Sequence, residues 1–582
     1  MNIFNIIHQN IIDVIKALQT ASQLPDSLNL SNITVEPPKE GSKHGDIATN
    51  AAMVLAKPTG KTPQVLAELI AVELRKVDII KQVEIAGPGF INIILDQKIW
   101  YSVIVSAINA GLGYGNSNIG KGAKVNLEYV SANPTGPMHI GHARGAVFGD
   151  ALALLLIKAG FSVTKEFYIN DAGGQIDTLA KSAYLRYLES LGEQISIEDG
   201  LYPGDYLLAV GDSLKTQYGE KLKHMTSEEA IKEIKPFAVD EMMALIKADL
   251  LELGIKHDIF FSEKTLHDNK KIEEVVAILE DKGLVYRGIL EAPKGKKPED
   301  WEEREQLLFK TTAFGDDIDR PLQKSNGDWT YFAAELAYIK NKLERGFDNL
   351  VMVLGADHGG YVKRTKAAVK ALSDNPVGIE IKLCQLVQFM QHGEPMKMSK
   401  RAGTYITVRD VNDAVGKDII RFMMLTRKND MPMEFDIEKV MEQSKDNPVF
   451  YVQYAHARSK SILRNAANSI PDIHTKIANL KDIRLELLKD GEELALIKML
   501  ANWPRIVELA AVHYEPHRIA FYLYDLASAF HSLWNAGREN KDLRFITEIE
   551  DLSLARITLI RAVVTVIASG LFVLGVEPVE EM

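Results

Sequence analysis

His139 and His142 bracket Ile140 and Gly141 directly after the turn Ser131-Ala132-Asn133-Pro134-Thr135-Gly136-Pro137. At i and i+3, the two imidazoles share one face of a helix. A helix start offers unpaired N–H groups and a partial positive charge, which suit phosphate. Gly141 carries no side chain, so a flat base can approach the backbone there. Far downstream stands Glu394-Pro395-Met396-Lys397-Met398-Ser399-Lys400-Arg401-Ala402-Gly403, whose Lys397 and Lys400 can close over phosphates. Alone, two histidines are more often ordinary surface or core residues, and KMSKR reads as a solvated basic loop. Together the two elements describe stabilisation of charge on phosphate oxygens.

Each element needs a scaffold. The pattern predicts a strand over 125–130 running into the turn, a helix over 143–158 ending at Gly160, and a strand over 161–169. Further strands are expected over 349–354, before another helix, and over 383–389, before the lysine loop. Alternation of this kind predicts a parallel sheet wrapped by helices. Asp357 and His358, in Gly355-Ala356-Asp357-His358-Gly359-Gly360, follow a strand end, where such folds place ligands. A glycine-rich turn with a capping Asp explains them almost as well.

The chain has 582 residues, 46% hydrophobic and 25% charged, with net charge -11. It is long enough for several domains, and no global positive field marks it for nucleic acid, so any such contact needs local patches. Its one cysteine, Cys384, excludes a disulfide framework and paired-CxxC zinc; a reducing, cytoplasmic home follows. Residues 1–18 read as an amphipathic helix rather than a signal peptide, and the apolar run 562–576 as a buried helix, shorter than a bilayer span needs. Composition breaks at 111–122 and 442–448 separate three regions: a mixed amino-terminal module, the alternating middle, and helices over 449–463, 492–512, 517–534 and 552–573. The fold class expected is α/β: a Rossmann-like parallel-sheet catalytic domain with an α+β amino-terminal domain and an all-α carboxyl-terminal helical bundle. The boundaries are 1–110, 120–400 with an insertion, 401–445 as a connecting helical segment, and 446–582. Residues 295–301 look like an exposed loop.

HIGH followed by KMSK, on two halves of an α/β domain, resembles the signature pair of class I aminoacyl-tRNA synthetases. Residues 128–137, 397–401, 355–361 and 330–338 resemble the arginyl-tRNA synthetase family in particular. Residues 45–57 with 85–94 are similar to its amino-terminal tRNA-binding domain, and 447–464 to the start of its anticodon-binding bundle. The resemblance implies adenylate formation from arginine and ATP with magnesium, then transfer to the 3′ adenosine of tRNA(Arg). It implies His139, His142, Lys397 and Lys400 as catalytic, with Gly141, Met398 and Ser399 also at ATP. It places Glu128 and Asn133 at the arginine ammonium and carboxylate, and Tyr331 and Glu335 near the guanidinium, with Asp357 and His358 alongside. A guanidinium asks for such acceptors in a fork. Glu335 is one methylene longer than the family's usual Asp, and Ile339 stands where relatives often carry His.

On the bundle, Tyr454, His456, Arg458, Lys460 and Arg464 share a predicted helix, and Tyr454, Arg458 and Arg464 are the tRNA candidates. A solvated charged face is the alternative. Each site residue has a plain structural reading too: Glu128 a strand edge, Tyr331 a packed ring, Glu335 a surface ion pair. No resident metal, no membrane partner, no large editing domain and a monomer are expected, and the resemblance further implies that pyrophosphate exchange needs tRNA. Rival readings are a synthetase for another amino acid, a small-molecule nucleotidyltransferase and a synthetase-like RNA-binding protein.

Overall fold

The computed structural model describes residues 1–38, 45–290, 304–396 and 406–582. At its centre lie five parallel strands: β1 (Lys124–Glu128), β2 (Ser162–Ile169), β3 (Ile259–Ser262), β4 (Asn349–Gly355) and β5 (Gly378–Cys384). Their order across the sheet is β5-β4-β1-β2-β3. The chain moves outward from β1 in one direction, then returns to β4 on its other side, so a crevice opens at the carboxyl ends of β1 and β4. This is the doubly wound α/β arrangement expected from the alternation.

Helix α1 (Ala143–Lys158) follows β1 and is buried nearly all round. Helix α2 (Tyr331–Glu344) begins where Thr330 Oγ1 accepts from the Ala333 N–H, and it precedes β4. Helix α3 (Tyr361–Leu372) links β4 to β5. The strand expected over 383–389 is broken: β5 ends at Cys384, and Val387–Gln391 belongs to a separate three-stranded sheet. Between the two, the Gln385 N–H bonds the Asn429 carbonyl instead of a neighbouring strand. Periodicity cannot see such a change of partner.

Upstream, a helix over Ile3–Thr20 starts at Asn2, whose side chain accepts from the N–H groups of Phe4 and Asn5. It accompanies a four-stranded antiparallel sheet, in which Gly87-Pro88-Gly89 turns the apolar stretch into a hairpin of Ile80–Ala86 with Phe90–Leu95. Downstream, α4 (Lys417–Met424) leads to the bundle of α5 (Pro448–Ser469), α6 (Gly491–His513), α7 (His517–Glu539) and α8 (Glu550–Leu574). By length and composition alone, Ile140–Lys158 and Glu550–Leu574 could each cross a membrane, yet 72% of either apolar window is buried inside the protein.

The composition break at 111–122 is a packed junction. Tyr114 is buried, and its hydroxyl donates to the Leu500 carbonyl on α6 (3.2 Å). Its own carbonyl accepts from Trp503 Nε1 (2.9 Å) and Ser569 Oγ (3.0 Å). Gly115, at φ +86°, is required, because a Cβ there would lie 2.4 Å from the Trp503 indole nitrogen.

Candidate active site

Strand β1 ends in a strained turn. Val130 (φ 70°) and Ser131 (φ 41°) both adopt left-handed backbone, which costs a β-branched residue about 1–3 kcal/mol and marks functional sites. The strand predicted through Val130 therefore stops at Glu128. Ile140–His142 forms a single 3-10 turn, and α1 starts at Ala143. The rings of His139 and His142 stack with centroids 3.8 Å apart. A Cβ on Gly141 would meet the His139 ring at 2.9 Å, so the missing side chain makes room for that imidazole.

Lys397, Met398, Ser399 and Lys400 lie outside the described residues, but both flanks are placed. The Ile140 N–H donates to the Ile406 carbonyl (2.9 Å), the Val408 N–H to the Met138 carbonyl (2.9 Å), and His139 bridges Thr407. Arg144, buried in the first turn of α1, donates to the carbonyls of Gln385 (3.0 Å), Met431 (2.7 Å) and Lys428 (2.9 Å). Two segments far apart in sequence are thus stitched edge to edge at the start of α1.

A cavity of about 560 Å³ opens there, lined by the residues after β1, the histidine turn and the ends of β4 and β5, Asn133, Asp357 and His358 among them. Asp357 and His358 form a 3-10 turn after β4, their side chains largely exposed and 3.5 Å apart. Asn133 donates to Gln175 Oε1 (2.9 Å) and accepts from Asn170 Nδ2 (3.1 Å).

Behind this cavity sits a cluster of carboxylates. Glu128 is buried and pairs with Lys342, itself 1% exposed; Ser131 Oγ also donates to it (3.2 Å). Glu166 accepts from Asn126, Tyr338 and both terminal nitrogens of Arg345. Burial pushes the Glu166 carboxyl up, but Arg345, Lys342 and Tyr338 outweigh it and hold it below the ordinary value. Burial pushes Glu263 up against the pull of His267. Glu335 is pushed up by burial too, against Arg364 and Thr365. Thr365 Oγ1 donates to its Oε1, and the nearest guanidinium nitrogen, Arg364 Nε, stands 3.8 Å from Oε2. That distance is too long for a hydrogen bond. Tyr168 feels Glu263, Glu128 and Glu335 together, and burial with their charge raises its hydroxyl.

Tyr331 and Glu335 do share a face of α2, but Tyr331 is 62% exposed at the helix start while Glu335 is recessed. Sequence reasoning missed Lys342, Glu166, Glu263, Tyr168, Arg364 and the Asn170–Gln175 loop. Only the last left a readable signal: amides and two glycines directly after a strand.

On the bundle, Arg458 stacks over Tyr454 (4.0 Å) and Trp534 (4.8 Å) and contacts the Tyr454 hydroxyl. Arg464 pairs with Glu581 (3.5 Å) and donates to the Glu580 carbonyl (3.3 Å). His456, expected on the same open face, is buried against the Val579 carbonyl (2.8 Å), because the segment 577–581 covers that stretch of α5. Nearby, Asn465, Trp534, Arg538, Arg544 and Phe545 line a further cavity of about 430 Å³.

A histidine turn at the switch point of a doubly wound sheet, stitched to the segment that follows KMSK in the sequence, is the catalytic arrangement of class I aminoacyl-tRNA synthetases. Residues 105–461 match the model of the class I (R) tRNA synthetase catalytic domain, 5–95 the arginyl tRNA synthetase N terminal domain and 452–582 the DALR anticodon binding domain. The chain is 54% identical to the arginine–tRNA ligases of Ruegeria pomeroyi and Roseobacter denitrificans, over 100% of both chains in each case. The fold matches Thermus thermophilus arginyl-tRNA synthetase with TM-score 0.73 at 20% identity, covering 100% of each chain. The chain belongs to the arginyl-tRNA synthetase family.

Proposed function

We propose that this chain activates L-arginine with ATP and transfers it to the 3′ terminal adenosine of tRNA(Arg). The arginine carboxylate attacks the ATP α-phosphate, giving arginyl-adenylate and pyrophosphate. The adenosine hydroxyl then attacks the activated carbonyl, AMP leaves, and no covalent enzyme intermediate is needed. Positioning and electrostatic stabilisation supply the rate. In this reading His139, His142, Lys397 and Lys400 donate to phosphate oxygens, and Gly141, Met398 and Ser399 lie along the nucleotide. Magnesium would be carried on the ATP phosphates.

The observation that carries the arginine assignment is the acidic cluster beside the phosphate turn, above all Glu335, whose Oε2 faces a cation without a hydrogen bond. Glu335 would take the substrate guanidinium with Tyr331 at the rim. Glu128 and Asn133 would hold the ammonium and carboxylate, with Asp357 and His358 at the cavity mouth. An apolar or compact ammonium side chain would leave buried acceptors unpaired, at about 1–3 kcal/mol each.

For tRNA, Tyr454, Arg458 and Arg464 remain the candidates, and the cavity beside Trp534 adds a ring and two guanidiniums suited to an unstacked base. We read 1–110 as a tRNA-binding module, 120–400 as the catalytic domain, 401–445 as its connection and 446–582 as the anticodon-binding bundle, in a monomer. Burial pushes the Cys384 thiol up to about 12, which keeps it inert and suits a reducing cytoplasm. Charging of radiolabelled arginine and lysine onto total tRNA, with pyrophosphate exchange run with and without that tRNA, is the test. Arginine alone should be attached, and exchange should need tRNA. Efficient lysine charging would overturn the assignment.

A further inference from the structure

Arg364, on α3, is the chain's own guanidinium in the place where a substrate guanidinium is wanted. Its guanidinium carbon lies 3.3 Å from the Tyr361 ring centroid and 5.5 Å from that of Phe332. Its Nε stands 3.8 Å from Glu335 Oε2, and the side chain is 15% exposed. That Nε is buried without a hydrogen-bond partner. The neighbouring cations are engaged elsewhere: Arg320 grips Asp316 through two bonds (2.8 and 2.9 Å), Lys363 holds Asp317 (2.7 Å), and Lys342 is paired with Glu128.

We propose that Arg364 is a resident guanidinium that occupies the field of Glu335 and sets the affinity threshold that every cationic side chain must pass to reach that carboxylate. The inference rests on the reading of Glu335 as the guanidinium acceptor. Every entering cation must take the carboxylate from Arg364, which is held by charge and stacking and whose Nε has no hydrogen-bond partner among the described residues. A substrate guanidinium replaces like with like: it is planar, weakly hydrated and able to lie against the same rings, and its fork adds N–H bonds that Arg364 does not make. An ammonium is compact and strongly hydrated. It can neither stack in that place nor satisfy the fork, so it meets the same displacement without the compensation. The threshold is common to both ligands, and only the guanidinium repays it.

The test measures lysine as a competitive inhibitor of arginine charging, together with the KM for arginine. In Arg364→Gln, lysine should bind about tenfold tighter, equivalent to about 1.4 kcal/mol, and the KM for arginine should fall by a similar factor. Arg364→Lys keeps the charge but loses the stacked plane, and should tighten lysine by a smaller factor; it carries the test if the Gln variant does not fold. An unchanged lysine inhibition constant in the folded variants overturns the proposal. Glu335→Gln separates the two readings. If it leaves the KM for arginine unchanged, the arginine subsite itself falls. If it raises that KM while Arg364 variants leave lysine inhibition untouched, only the role of Arg364 falls.

Discussion

Around Tyr168 the cleft gathers Glu128, Glu263 and Glu335, each raising its hydroxyl, and the last has no hydrogen bond from its nearest cation. In the bundle the buried titratable groups are treated differently. Glu493 and Arg556 pair at 2.6 Å, and Arg556 also donates to the carbonyls of Asp542 and Arg544 (both 2.7 Å). Burial lowers His517 and His531 to about 4, so both rings are neutral. One region leaves Glu335 without a bonded cation although Glu128 beside it is paired with Lys342, and close by sits backbone strain at Val130 and Ser131. The other completes its ion pair or gives up charge altogether. Glu335 and Glu493 differ in whether the protein finishes the pairing itself.

The sharpest test of that contrast compares two buried pairs. Lys342→Met and Arg556→Met should each destabilise by about 3–5 kcal/mol in denaturant titration, because each strands a buried carboxylate. Glu128→Gln/Lys342→Met should regain most of that stability yet stay defective in adenylate formation. Glu493→Gln/Arg556→Met should regain part of that stability, the Asp542 and Arg544 carbonyls having lost their donor, and keep adenylate formation. Equal recovery of activity in both doubles would erase the distinction.

Next in size, His142→Ala should slow adenylate formation by about 10² to 10³ in single turnover, because a donor to transition-state charge is lost. Affinity for tRNA should stay as it was. Arg458→Ala should do the reverse, raising the KM for tRNA and leaving exchange at saturating tRNA intact. A His142→Ala enzyme with normal chemistry would remove the histidine turn from the catalytic reading.

A smaller effect is expected with pH. The bundle histidines lie at about 4 when folded and near 6.5 when unfolded, so between those values the unfolded chain binds more protons. Stability they contribute is complete above about pH 6.5 and is lost as pH falls toward 4. Thermal melts at pH 7.5, 6 and 5 should show a falling midpoint, and His517→Gln/His531→Gln should flatten that slope. An unchanged slope would mean these rings are not buried neutral.

The α/β alternation, the helical bundle and the histidine turn were legible because each is a local pattern: periodicity, a Pro/Gly turn, a spacing of three. The break after Cys384 was not, since Val387–Gln391 leaves the sheet only because its partner, Met433–Asp436, lies elsewhere in sequence. Lys342 and Arg364 were invisible for a related reason. Lysine and arginine on amphipathic helices usually face water, and only the approach of α2 to Glu128 at the end of β1 and the packing of α3 on α2 turn them toward carboxylates. His456 shows the opposite error: a helical face counted as open is covered by a segment more than a hundred residues away.

The junction at Tyr114 sets a limit on how the molecule can be taken apart. Its carbonyl is held by α6 and α8, its hydroxyl by α6, and Gly115 is moulded to an indole. Lys158, at the far end of α1, donates to the Leu112 carbonyl and Asn116 in the same stretch (2.8 and 2.9 Å). Removing the bundle would bare an aromatic socket and leave the Tyr114 carbonyl without its donors, two residues from the Leu112 carbonyl that Lys158 of α1 holds. The carboxyl-terminal bundle is a keystone rather than a detachable adaptor: grafting it onto another core, or excising it to study it alone, would disturb the very helix whose amino end carries the histidine turn.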